Sequence, residues 1–248
     1  MNRSYWEKIA PEYNSEIFDV LFNDKQSIIQ KEIQLIAGKS NTVLDIGCAI
    51  GKWLPLLSSS FKKVIALDIS KENLQIAKTI HSELSNISYE RIDMSAVNPK
   101  IKVSEAAICI NALLTDSEKK RTQFLTNLSK CVKKNGKVIM VVPSLESSLL
   151  TSIIRQKWNP DKDAHKSIIK KKSSLQVKNM LQGNIAIDSV FTKHFVKEEL
   201  EILLGQHGFK VTKFEKIEYN WNTEFSKPPF WLKFPKPWDW MLVATKCA

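Results

Sequence analysis

The run Val43-Leu44-Asp45-Ile46-Gly47-Cys48-Ala49-Ile50-Gly51, with Val64-Ile65-Ala66-Leu67-Asp68 after it, constrains this chain more than any other feature. An apolar strand leads into a turn of small residues, a helix follows, and a second apolar strand ends on a carboxylate. Glycine at 47 and 51, with small Ala49 between them, lets the backbone turn tightly and approach a ligand closely. Asp68, at the end of the second strand, is placed to accept hydrogen bonds from two ribose hydroxyls. This is the layout of a nucleoside-binding βαβ unit, so the expected ligand carries a ribose.

The spacing narrows the choice. A dinucleotide fingerprint, Gly-x-Gly-x-x-Gly, sets a pyrophosphate on its helix N-terminus, and Gly47-x-Ala49-x-Gly51 lacks the last step of that pattern. A Walker loop needs four residues between its glycines and then Lys-Ser or Lys-Thr, whereas here three intervene and Lys52 precedes Trp53. What remains, Asp45 to Gly51, resembles motif I of the class I S-adenosylmethionine-dependent methyltransferases, Asp-x-Gly-x-Gly-x-Gly, with Ala49 replacing the middle glycine.

The resemblance runs along most of the chain outside residues 144–190. The acidic strand end at Asp68 is similar to the family's motif II, and Ser70 then caps a helix with Leu74, Ala77, Ile80 and Leu84 on one face. A third strand, Ile87 to Ile92, runs into Asp93-Met94, where the family keeps its adenine contacts. A fourth, Ala106 to Ile110, ends at Asn111, and a fifth, Lys137 to Val142, follows the turn Lys134-Asn135-Gly136. Residues Phe195 to Leu204 and then His207 to Val211 resemble the last helix and sixth strand, and Trp238 to Lys246 the seventh.

The resemblance therefore implies an α/β fold: a doubly wound, seven-stranded, mostly parallel sheet of order 3-2-1-4-5-7-6, with its last strand antiparallel. It implies one methyltransferase domain over residues 1–248, with a helical cap at 1–37 and a lid-like insertion at 144–190 after the fifth strand. It implies S-adenosylmethionine as cofactor, held by Asp45, Gly47, Cys48, Ala49, Gly51, Asp68, Ile69, Asp93, Met94 and Asn111, with Tyr13, Tyr5 and Trp6 closing over it.

Composition agrees. With 248 residues and 43% apolar content the chain can bury a full core without staples. Cys48, Cys109, Cys131 and Cys247 form no Cys-x-x-Cys pair, so neither a zinc site nor a disulfide framework is expected. A reducing cytoplasm is the expected compartment. The N-terminal residues contain no signal-like apolar stretch, and no apolar run approaches the roughly 20 residues of a membrane span. The net charge of +11 is concentrated in Arg155, Lys157, Lys162, Lys166, Lys170, Lys171 and Lys172, opposed locally by Asp161 and Asp163. Such a patch attracts anionic partners, though most charge runs are simply solvated.

Methyl transfer from a sulfonium needs an acceptor held in line and water kept out, with no protein nucleophile. A base helps a hydroxyl acceptor, and histidine is the usual choice. His81 and His207 are expected to lie away from the crevice; His165 and His194 are placed to face an acceptor, and no catalytic residue is assigned. Asn111-Ala112-Leu113-Leu114 lacks the Asp/Asn-Pro-Pro-Tyr/Phe motif of nucleobase amino methyltransferases, and Cys109 lacks the partner of a carbon-5 nucleophile. The expected acceptor is a small molecule, anionic or aromatic, methylated on oxygen or nitrogen. An RNA or other macromolecular acceptor, and a non-catalytic scaffold, are the alternatives. The aromatic segment from Tyr219 to Trp240 is expected to wall an acceptor pocket, form a subunit contact or pack on the insertion.

Overall fold

The apolar runs become strands. The computed structural model describes residues 3–38, 40–158, 179–187 and 190–247. Its strands are β1 (Thr42–Ile46), β2 (Lys63–Asp68), β3 (Ile87–Arg91), β4 (Ser104–Ile110), β5 (Val132–Pro143), β6 (Asn184–Ile187), β7 (Val190–Lys193), β8 (Phe209–Glu218) and β9 (Trp238–Lys246). Seven of them form one sheet in the order β3-β2-β1-β4-β5-β9-β8. Neighbours from β3 to β5 pair in parallel, while β9 runs antiparallel to both β5 and β8. This is the expected order, the sixth and seventh sheet strands being β8 and β9 because the separate hairpin β6–β7 precedes them.

Both faces of the sheet are covered, which is why its strands read as nearly continuous apolar runs. Val43, Val64, Ala66, Ile108, Ile139 and Val141 pack on one side with Ile29, Ile33 and Ile36 of α4 (Ile28–Ala37), Leu54 and Leu57 of α5 (Leu54–Ser60) and Leu74 and Ala77 of α6 (Lys71–Ile80). Leu44, Ile46, Ile65, Leu67, Val138, Met140 and Val142 face Phe124, Leu125 and Leu128 of α7 (Glu118–Cys131) and Leu200 and Leu204 of α9 (Lys197–Gln206). The two sets alternate along each strand, as a period of two requires.

Several local expectations need correction. Ser70 does cap α6, its Oγ accepting from the Asn73 amide at 3.1 Å, but the helix stops at Ile80, which is half exposed instead of joining the apolar face. Lys134-Asn135-Gly136 is not a turn ahead of β5 but a bulge within it. Val132 already pairs with Ser104, Lys137 resumes with Ala106, and Asn135 takes φ +62° between them. The hairpin β6–β7 carries no strong sequence signal. It docks through a bridge from Thr192 to Thr115 and a 3.0 Å bond from the Lys193 amide to the Leu114 carbonyl. Helix α8 (Leu145–Trp158) leaves the end of β5, and its Ile154 packs with Trp221, Phe225 and Leu232. Part of the aromatic segment is thus plain packing.

The N-terminal residues form short helices α1 (Arg3–Ile9), α2 (Tyr13–Glu16) and α3 (Val20–Asn23) beside the carboxyl ends of β1 and β2. Glu7 fixes α1 to the start of α6: its carboxylate accepts from the amides of Lys71 and Glu72 and from the Ser70 hydroxyl, each at 3.1 Å. Asp19 caps α3 by accepting from the Phe22 amide and forms a 2.6 Å ion pair with Lys52. No helix among the described residues is long and apolar enough to cross a membrane.

Candidate active site

Three strand ends meet where the helices diverge. The turn after β1 needs glycine at 47 for two reasons: φ is +73°, and a Cβ there would lie 2.5 Å from the Ala112 Cβ. This close approach joins the first turn to the loop after β4. Gly51 (φ +87°) is likewise hemmed in by Leu54 and by the ring of His81. His81 therefore supports the loop from outside both cavities. Ala49 sits at φ +49°, a left-handed conformation that a glycine would adopt without strain.

Asp68 organises this turn from the next strand. Its Oδ2 accepts from the Ala49 amide at 2.9 Å and its Oδ1 from the Ser70 amide at 2.8 Å, with Asn73 Nδ2 at 3.5 Å. Oδ2, with one bond accepted, keeps a second lone pair, so capacity for a ligand remains. Burial raises the pKa of Asp68, and the amide bonds act in the other direction.

The cleft between these elements is lined by Gly47, Ala49, Asp68, Ile69, Asp93, Met94, Asn111 and Tyr13, all singled out in the sequence, together with Trp6. Asp93 Oδ1 accepts from the Ser95 amide and hydroxyl at 2.8 and 2.6 Å. Burial, first, and then the carboxylate of Asp68 push the Tyr13 hydroxyl well above its ordinary pKa. Cys48 lines an adjoining cavity, its thiol pushed up by burial, and Gly51 lines neither space. Asp45 is the larger departure. Placed to reach a ligand, it lies beneath the turn, 3% exposed and outside the lining, with Oδ2 lacking any hydrogen-bond partner. Burial and then the neighbouring Asp68 push it up to about 7. Phe124, Lys120, Thr115 and Asn73 also line the cleft, and no local pattern marked them.

The adjoining cavity is larger, about 980 Å³, and shares Trp6, Tyr13, Gly47, Ala49, Asn111 and Leu114 with the cleft. Its walls include Phe18, Tyr219, Trp238, Ile185 and Val190, with Ser144 and Thr151 from the start of α8. His194, 7% exposed, is on this wall, its Nδ1 3.1 Å from the Thr192 carbonyl; burial lowers its pKa, leaving the ring neutral near pH 7. His207 bonds the Leu203 carbonyl of its own helix and takes no part. His165 and Lys162 to Lys172, with Asp161 and Asp163, lie outside the described residues. Among the described residues no cluster of His, Cys, Asp or Glu is arranged to hold a metal ion.

Comparison with known proteins places this geometry. Residues 43–136 match the family model described as a methyltransferase domain. An uncharacterised protein of Methanocaldococcus jannaschii is 26% identical over 235 residues, covering 92% of this chain and 81% of that protein. The N-methyltransferase NodS of Bradyrhizobium japonicum, solved with S-adenosyl-L-homocysteine, is similar in structure with a TM-score of 0.63. It is 11% identical, and the match covers 99% of this chain and 97% of that one. A putative S-adenosylmethionine-dependent methyltransferase of Listeria monocytogenes also has a TM-score of 0.63, at 18% identity, covering 90% of this chain and 98% of that one. With strand order, domain match and glycine turn in agreement, residues 43–136 are similar to a methyltransferase domain, and the chain has the fold of the class I S-adenosylmethionine-dependent methyltransferases.

Proposed function

We propose that this methyltransferase binds S-adenosylmethionine in the cleft and methylates oxygen or nitrogen of a small molecule seated in the larger cavity. The observation that carries the reading is that the two spaces adjoin, with Tyr13, Gly47, Ala49, Asn111 and Leu114 lining both. A nucleoside-sized cleft that adjoins an apolar and aromatic chamber is suited to a small acceptor. The residues fit the cofactor: Asp68 accepts from the ribose and Asp93 and Met94 take the adenine, while the orphaned Asp45 carboxyl, beneath the turn and outside the lining, would reach the ammonium group through water. When bound, S-adenosylmethionine supplies an electrophilic methyl group. The protein's part is to align the acceptor, with Asn111 at the junction, and to keep water out with Trp6 and Tyr13 above. In this reading residues 1–37 cap the cofactor, residues 144–190 wall the acceptor chamber, and the whole chain is one domain. Four unpaired cysteines fit a reducing cytoplasm.

Calorimetric titration with S-adenosylmethionine and S-adenosylhomocysteine tests this. Micromolar binding is expected for the unaltered chain, with a loss on the order of 1.5–3 kcal/mol, roughly ten- to hundredfold, in Asp68→Ala. A folded wild type that binds neither compound would sink the enzyme reading, and unchanged affinity in Asp68→Ala would remove that residue from the site.

The cover makes a separate prediction. Glu7→Ala removes the carboxylate that ties α1 to α6, a cap worth about 1 kcal/mol. S-adenosylhomocysteine is expected to dissociate about fivefold faster, as read by stopped-flow fluorescence. An unaltered rate would show that α1 does not retain the ligand.

A further inference from the structure

At the floor of the larger cavity the chain assembles a carboxylate that the proposed cofactor does not use. Asp239 opens β9 opposite Pro143, the last residue of β5, and so lies at the carboxyl end of the parallel strands. Its Oδ2 accepts from the Tyr219 hydroxyl at 2.8 Å and from Asn111 Nδ2 at 3.4 Å, and the Ser144 backbone amide also bonds the carboxylate. Asn111 stands at the junction of the two spaces, held at φ +48° with its amide on the Val141 carbonyl. Asp239 is therefore one side chain away from the junction of cleft and chamber.

Among the described residues the chamber's lining is acidic in balance, with Glu16, Asp19, Glu224 and Asp239 against Lys52 and Arg155. Its cations are engaged elsewhere: Lys52 pairs with Asp19, and Arg155 donates to the Glu224 backbone carbonyl while lying over the Phe225 ring. Asp239 and Glu224 both line the chamber, and neither forms an ion pair among the described residues. His194 on the same wall is neutral. Thr151, only 5% exposed, also lines the chamber, and its hydroxyl has no hydrogen-bond partner. Phe18 and Tyr219, edge to face with each other, line the same chamber, and aromatic faces attract a cation; the Trp238 ring already carries the Lys216 ammonium at 3.7 Å. Burial pushes Asp239 up to about 6, and the Tyr219 and Asn111 bonds oppose it, so the group is mainly ionised at neutral pH.

We propose that Asp239 is the specificity-determining residue of the acceptor site, and that the acceptor is an amine whose N–H groups are taken by this carboxylate. The proposal rests on the larger cavity being the acceptor chamber. It replaces the anionic acceptor suggested by the lysine-rich segment with a cationic one. A buried carboxylate rewards a donor of positive charge and penalises an isostere that cannot supply it.

The test uses the full chain saturated with S-adenosylhomocysteine and two matched probes, 2-phenylethylamine and 2-phenylethanol, titrated by ligand-detected NMR. The amine is expected to bind at least tenfold more tightly than the alcohol, and Asp239→Asn to abolish that preference while S-adenosylhomocysteine affinity stays within about twofold. If Asp239→Asn does not fold, Glu224→Gln is expected to reduce the preference severalfold, and the wild-type comparison stands without any variant. Equal binding of the two probes to the cofactor-loaded chain would overturn the amine proposal and leave the methyltransferase reading intact. Preference surviving in Asp239→Asn would overturn the role of Asp239. Failure of S-adenosylhomocysteine itself to bind would overturn the proposed function and this inference with it.

Discussion

Alanine at position 47 is expected to cost this protein about 3 kcal/mol of stability and to weaken S-adenosylhomocysteine binding by more than a hundredfold. Two costs combine. A residue with a Cβ at φ +73° pays on the order of 1 kcal/mol for the left-handed backbone, and the added carbon would overlap Ala112, whose Cβ lies 2.5 Å away. The overlap is with a loop that lines both cavities, so relief moves Asn111 and the Gly47–Gly51 turn together. Gly38→Ala is the control, because nothing lies within 4 Å of a Cβ there and its φ is −60°. It is expected to be neutral or slightly stabilising. Urea unfolding of both variants, followed by calorimetry, separates the two. If Gly47→Ala unfolds at the wild-type midpoint, the close approach of the two loops carries no energetic weight.

Asp45→Asn is expected to act in opposite directions on stability and on binding. The folded protein holds the Asp45 pKa at about 7 against an ordinary value of 3.8, because burial and Asp68 both disfavour the charged form. Between those two pH values the folded state binds the proton that the unfolded state has lost. This group's contribution therefore makes stability fall as pH rises from about 4 to about 7, by an amount on the order of 4 kcal/mol. Asparagine removes that dependence but leaves a buried polar group, so the net gain at pH 8 is about 2 kcal/mol, a rise in Tm of roughly 4–8 °C. At pH 4 no gain is expected. The same change takes away the carboxylate proposed to meet the cofactor's ammonium group, and affinity is expected to fall ten- to hundredfold. Thermal unfolding at pH 4 and 8 without ligand, beside calorimetry at pH 8, reads both effects. A variant destabilised equally at both pH values would show that Asp45 is not held as an unpaired buried acid.

Much of the cofactor cleft was legible because its residues lie at the ends of consecutive strands. Once β1, β2, β3 and β4 are recognised as parallel neighbours, Gly47, Asp68, Asp93 and Asn111 must fall along one edge of the sheet, whatever the helices do. The reach of Asp45 was not legible. Its position on β1 places it near the edge, but the alternation of faces turns its side chain toward Val43's side and under the turn, where it meets Asp68 and finds no partner for Oδ2. The support His81 gives the Gly51 turn was not legible either: the helix ends at Ile80, and the chain beyond it folds back on Gly51.

What the sequence determined by itself was the apolar runs that form the seven-stranded sheet and the glycine turn after the first of them, because these depend on short-range periodicity and on glycines whose backbone freedom is a local property; the strand order came with the family resemblance. What only the tertiary structure decided was the larger cavity proposed to take the acceptor. Asn111 and Asp239 are 128 positions apart, and Tyr219 reaches the same carboxylate from a third segment. The antiparallel insertion of β9 between β5 and β8 sets Asp239 opposite Pro143, and the docking of β6–β7 on Leu114 and Thr115 brings His194 to the same wall. Asp239 is marked by no neighbour in the chain; its surroundings arise from long-range strand pairing, which sets the carboxylate beside Tyr219 and Asn111 with no ion pair to it among the described residues.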